Sequence, residues 1–138
     1  MTQLQRRALN PGIAPHPLGA YSQALEVRPG RLLYIAGQVG LDANGNLPGA
    51  GDAAAQSRQV FENLGRVLTG AGATFSNVVE FTTYLVGRES IQPFIDTRAQ
   101  LFPGLFPDGQ YPPNTLLLVA GLVREELLVE IKAVAVLP

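Results

Sequence analysis

Val, Leu and Ile crowd the last quarter of the chain, where Tyr111–Val136 reads YPPNTLLLVAGLVREELLVEIKAVAV. Two apolar runs, Thr115–Ala120 and Leu127–Val136, flank a charged connection at Arg124, Glu125 and Glu126, and the second alternates in part. Runs of this composition and length read as two paired strands, with Arg124 at the tip of a hairpin. Upstream, Tyr21–Val27 and Leu32–Gln38 read as two more strands, with Pro29-Gly30 as the turn of a hairpin between them. The second of these ends at Gly37, where a missing Cβ either marks a bulge or lets another group approach the backbone. Asn77–Val86 is a longer strand, with Val79, Phe81, Thr83 and Leu85 on one face and Glu80, Thr82 and Tyr84 on the other.

Two segments carry helical spacing instead. Ala53, Ser57, Val60, Phe61, Leu64, Val67, Leu68 and Ala71 form one stripe behind an N-cap at Asp52, and Gly70 and Gly72 close that helix. A second helix is expected from Ser90, its cap, to Phe102, with Pro103-Gly104 ending it. Ile91, Phe94, Ile95, Arg98 and Phe102 share one side of it. Arg98 there reads as a stem lying along apolar surface with its head in water, within reach of a rim carboxylate. Leu41–Gly51 is a loop with a turn at Asn44-Gly45, and the proline-broken start of the chain is irregular, residues 1–14 forming an extension.

Strand, strand, helix, strand, helix, strand, strand describes a single α+β domain over residues 1–138, with an antiparallel or mixed sheet and both helices on one face. The other face, bearing Val, Thr and Tyr on a thinly charged protein, argues for a closed oligomer.

Composition narrows the chemistry. There is no cysteine, which excludes disulfides, thiolate catalysis and Cys-ligated metal, and the single histidine, His16, leaves no cluster for zinc. His16 sits between prolines and reads as a turn residue. One lysine, nine arginines and a net charge of −1 give no field for nucleic acid or polyphosphate. No apolar run reaches the length of a membrane span, and MTQLQRRALNPG does not read as a secretory signal, so a cytoplasmic protein is expected.

PLGAYSQA, LLYIAGQVG, DAAAQSRQVFENLGRVLTGAGATFSNVVEFTTYLV and VEIKAVAV fall in one register. Together they resemble the RidA family of reactive-intermediate deaminases, also called YjgF or L-PSP, over nearly the whole chain from Pro15. The resemblance implies a chorismate-mutase-like fold and a homotrimer with a barrel-like centre and three clefts between subunits. It further implies hydrolysis of 2-imino and 2-enamino acids to 2-keto acids and ammonia, with neither metal nor organic cofactor. In the family an arginine of a P-x-R-[ST] motif clamps the substrate carboxylate, and a glutamate of the final strand positions or activates water. A tyrosine near the N-terminus and a serine or similar residue before Gly-Gln line the cleft. Carried onto this sequence, the glutamate is Glu130, the tyrosine Tyr21 and the glycine Gly37. The serine position reads Ala36, and the arginine position reads Asn114, followed by Thr115. A guanidinium offers a carboxylate a charged fork, whereas an amide offers one neutral donor face. That exchange implies an altered substrate, uncharged at the end facing Asn114, unless the fold brings in Arg98 of the second helix or Arg124 of the hairpin tip as a replacement.

Each site residue has a plainer reading beside this one. Glu130 either orients a water for attack on a C=N carbon or faces solvent with Lys132. Asn114 either recognises a ligand carbonyl or imine or forms the turn before its strand, and Tyr21 either reaches a ligand or wedges a hairpin. Thr115 offers a hydroxyl and a backbone N–H but is also an ordinary strand former. Two functions follow: a deaminase of imine- or enamine-type metabolites with altered specificity, or a non-catalytic small-molecule-binding trimer. RNA cleavage, attached to some relatives by name, stands behind both.

Overall fold

The structure is a computed structural model, and it describes residues 5–14, 16–28 and 30–138. Its elements are β1 (Arg6–Leu9), β2 (Ala24–Val27), β3 (Arg31–Val39), α1 (Ala53–Gly70), β4 (Val78–Val86), α2 (Ile91–Leu105), β5 (Asn114–Val119) and β6 (Val129–Leu137). Four strands form one mixed sheet in the order β3-β6-β4-β5, while β1 and β2 pair separately and antiparallel. The expected α+β architecture, with two helices and a mixed sheet of the chorismate-mutase-like kind, is therefore observed.

β6 sits at the centre because its inner face is uniformly apolar. Val129, Ile131, Ala133 and Ala135 are buried, and the strand pairs antiparallel with β3 on one side and β4 on the other. Small alanines let helix α1 approach closely. β4 follows the same alternation, with Phe81, Thr83 and Leu85 inward. A register irregularity between Val78 and Glu80 puts Val78, rather than the expected Val79, fully in the core. All six phenylalanines of the chain are buried together between the sheet and the helices, Phe61 touching four of the other rings.

Three sequence-based expectations are corrected. The apolar runs of the last quarter are strands but do not pair with each other: β4 lies between them, parallel to β5 and antiparallel to β6. The α2 crossover delivers β5 to the sheet edge parallel to β4, and the connection Ala120–Leu128 easily spans the ~10 Å of two inter-strand spacings. No hairpin joins β2 to β3 either. β2 pairs with β1, which lies inside the stretch expected to be irregular, and Arg7 reaches Glu26 across that ribbon at 2.8 Å. Pro29 lies outside the described residues. Finally, Pro103 does not end α2, which continues to Leu105, and Ser90 holds the N-cap position without a capping bond: its hydroxyl donates to the Val86 carbonyl at 2.7 Å. The N-cap at Asp52 is present, its carboxylate accepting from the Ala55 N–H at 3.0 Å.

The long connection is pinned by one buried amide. Gln56 of α1 is fully buried; its Nε2 donates to the carbonyls of Gly49 and Glu126, and its Oε1 accepts from the Leu128 N–H at 2.8 Å. One side chain thereby ties the loop before α1 to the loop before β6. Truncation would strand these partly buried backbone groups. Gln56→Ala is expected to lower the unfolding free energy by about 2–4 kcal/mol, as read from chemical denaturation. A loss below about 0.5 kcal/mol would mean that water replaces the amide freely.

Candidate functional site

The chain enters the site region through an extended segment that docks on the strap before β5. Ser22 is buried, and its N–H reaches the Pro112 carbonyl at 3.4 Å. Just before it, a tight turn closed by the Tyr21 N–H on the Gly19 carbonyl turns the Tyr21 ring towards α2. The Tyr21 hydroxyl accepts from the Leu18 N–H at 3.1 Å, which leaves its own proton free to donate. Tyr21 then lines a cleft of about 340 Å³ with Leu18, Ile91, Ile95, Arg98, Asn114 and Leu116.

Asn114, the first residue of β5, is oriented from beneath. The hydroxyl of Thr83, a buried residue of β4, donates to Asn114 Oδ1 at 2.8 Å. With Oδ1 so engaged, the amide presents its Nδ2 donor, which has no partner among the described residues. Arg98 stands in the same cleft. Its guanidinium carbon lies 5.3 Å from the centre of the Phe94 ring and 5.8 Å from that of Tyr21. Only 5% of the residue is exposed, and burial pulls the guanidinium below its ordinary pKa, the phenol of Tyr21 opposing that shift. The expectation that Arg98 holds its head in water is thus wrong: the whole side chain is inside.

Glu130 lies on the opposite face of the sheet. It is partly exposed on β6, between Val39 of β3 and Tyr84 of β4 in register, and makes no hydrogen bond or ion pair with a described residue, Lys132 included. Gly37 lies directly against it, in the stretch where the pairing of β3 shifts register between Ile35 and Gln38. A Cβ built on Gly37 would fall 2.2 Å from Glu130 Oε2. Both readings of that glycine therefore apply, the bulge and the close approach. Ala36 precedes it and is exposed.

Within one chain the site residues fall into two groups. Tyr21 and Asn114 share the cleft under α2; Ala36, Gly37 and Glu130 occupy the uncovered face of the sheet. Thr115 is exposed on that uncovered face, in register with Thr82 and Lys132 rather than with Glu130. Sheet spacings put its backbone about 12 Å from that of Glu130. Thr83 was not assigned to the site from sequence, and Arg98 only as a residue the fold would have to bring in. The available signal was the charge of Arg98 inside the apolar side of α2. His16 is exposed and stands apart from both groups.

A one-sided sheet covered by two helices, with a cleft at the β5 edge, defines the chorismate-mutase-like class of small α+β proteins. Residues 12–137 match the family described as Endoribonuclease L-PSP, and the chain belongs to this RidA/YjgF/L-PSP family. It is 35% identical over 136 residues to the 2-iminobutanoate/2-iminopropanoate deaminase of Mus musculus, covering 99% of this chain and 95% of that one. Among solved structures it resembles YyfB of Yersinia pestis, a protein of unknown function of the conserved Rid family, with a TM-score of 0.85 and 37% identity. That match covers 96% of this chain and 98% of YyfB. Escherichia coli TdcF with bound serine shares the fold, with a TM-score of 0.71 at 23% identity, over 96% of this chain and 99% of TdcF. Among the described residues no helix is long and apolar enough to cross a membrane.

The contact between Gly37 and Glu130 yields a test. The atoms a new Cβ would strike belong to a movable side chain, and the backbone of Gly37 needs no left-handed conformation. Gly37→Ala is expected to change the unfolding free energy by less than about 1 kcal/mol while displacing the Glu130 carboxylate to another rotamer. A loss above about 3 kcal/mol in denaturant titration would show instead that Glu130 is locked in place.

Proposed function

We propose that the chain is a cofactor-free deaminase of imine- or enamine-type metabolites, with a specificity different from that of its 2-iminobutanoate-directed relatives. Its site is assembled between copies of the chain in a homotrimer. The observation that carries this reading is the free carboxylate of Glu130, held against Gly37 on a partly apolar sheet face. Leu32 and Tyr34 of β3 and Leu117 of β5 are 59%, 75% and 44% exposed on that face, an area suited to burial against a second copy. The same docking would bring Glu130 of one chain to the Tyr21–Asn114 cleft of the next, which the sheet itself separates within one chain.

The chemistry is a hydrolysis that needs only water and a proton carrier. Glu130 accepts a proton from water as its oxygen bonds to the carbon of a protonated imine, and the C=N electron pair moves to nitrogen, leaving a neutral amine. Glu130 then gives that proton to the amine, the C–N bond breaks as the hydroxyl oxygen forms the C=O bond, and the hydroxyl proton passes through Glu130 to the departing ammonia. An enamine first takes a proton at carbon. On this reading Asn114 stands where the family's clamping arginine stands and Ala36 where its serine stands, so both bear on which substrate is accepted. RNA cleavage, which the family's description names, finds little support in a chain with one lysine and a net charge of −1.

Freshly generated imines, released by an amino acid oxidase, test the reading. Wild type is expected to speed their decay, and Glu130→Ala to lose about 10²–10⁴-fold of that rate while retaining ligand binding. A wild type that binds ligand yet hydrolyses neither carboxylated nor neutral imines would identify the non-catalytic binding protein instead. Light scattering supplies the second check: three chains of 14.7 kDa are expected, and a monomer would leave the two halves of the site apart.

A further inference from the structure

Removing a guanidinium from water is costly unless its donors are met within the protein. Of the two arginines drawn inward, Arg6 also leaves its Nε buried without a partner, but its Nη1 and Nη2 donate to the carbonyls of Ser76 and Gln110. Arg98 is 5% exposed, its Nε is buried with no partner, and its guanidinium has no hydrogen bond or ion pair with any described residue. Among the described residues its only cation–π contacts are with the faces of Phe94 and Tyr21. Cation–π contact occupies the faces of a guanidinium and leaves its in-plane N–H donors unused. Those donors line a cleft that has room for a small molecule.

We propose that Arg98, from helix α2, is the residue that binds the ligand's carboxylate in this cleft, where β5 offers only the neutral Asn114. The assignment rests on the reading of the chain as an imine deaminase. An in-plane fork of N–H donors matches the two oxygens of a carboxylate. Ile91, Ile95 and Leu116 give the cleft the apolar wall that an aliphatic chain needs, and they disfavour a second charged group on the ligand. Asn114, its Oδ1 held by Thr83, contributes Nδ2 as a neutral donor to a polar atom beside the carboxylate. The position of Arg98 also supplies a reason for a neutral residue at 114. A second guanidinium there would set two like charges in one sheltered cleft. On this proposal the carboxylate clamp is carried by a helix rather than by β5, and the end of the ligand facing Asn114 stays uncharged while its carboxylate is met from the other wall.

The test measures binding apart from turnover. 2-Oxobutanoate and its uncharged carboxamide are titrated calorimetrically into wild type, Arg98→Gln and Arg98→Lys, with imine hydrolysis followed in parallel. Wild type is expected to prefer the carboxylate at least about tenfold, and Arg98→Gln to lose about 10–100-fold for the carboxylate with little change for the carboxamide. Arg98→Lys, which keeps the charge but not the fork, is expected to recover part of the loss. Equal affinity of wild type for both compounds, or an undiminished preference in Arg98→Gln, overturns the assignment. Should Arg98→Gln fail to fold, the wild-type preference and the Arg98→Lys affinity decide. Hydrolysis of neutral imines by a wild type with no carboxylate preference would sink the role of Arg98 and leave the deaminase standing. Arg98-dependent carboxylate binding without hydrolysis of any imine would do the reverse.

Discussion

One face of the sheet is covered by helices and the other is not, and every feature of the site follows from that asymmetry. β6 carries its apolar residues at alternate positions, so Val129, Ile131, Ala133 and Ala135 are driven under α1 while Glu130 and Lys132 are turned outward. Once that alternation is set, no rotamer can bring the Glu130 carboxylate to the cleft beneath α2, because the sheet stands between them. A catalytic centre that uses both must borrow one half from a neighbour. The exposed apolar residues on the outer face and the unpaired edge of β5 are where a neighbour gains most by docking.

The inner side shows how the cleft acquires its chemistry. The aromatic cluster fixes α2 against the sheet, and Phe94 belongs both to that cluster and to the wall behind Arg98. The N-terminal segment closes the other side, with Gly19 passing so near that a Cβ there would sit 3.0 Å from Arg98 Nη2. Burial of the arginine is therefore imposed by packing from two directions, and its unmet donors are what an anion would meet in the cleft on the proposed reading. Thr83 orients Asn114 in a similar way, deciding which end of the amide faces the cleft.

Much of this could be read from the chain and some could not. Helix α1 was legible because its stripe, its Asp52 cap and its glycine stop agree. The strands of the last quarter were legible as strands, but their pairing was not: an apolar run announces a strand without naming its neighbour, and the α2 crossover made β5 a parallel edge. β1 carries two arginines and only two apolar residues, too weak a pattern to find. Glu130 and Gly37 were placed by family resemblance, and the structure joins them through a contact no sequence pattern reports. Arg98 was visible as a charge on an apolar helix face. Its burial depends on the N-terminal segment closing over it, a contact distant in sequence.

A mixing experiment reaches the central claim most directly. Arg98→Gln and Glu130→Gln, each impaired alone, are co-expressed in equal amounts and the mixed oligomers assayed for imine hydrolysis at a carboxylate-imine concentration too low to saturate Arg98→Gln. If each cleft draws Arg98 from one chain and Glu130 from the next, random assembly restores about a quarter of the wild-type activity. A mixture no more active than its components would contradict the account, since a site contained within one chain cannot be repaired by a partner.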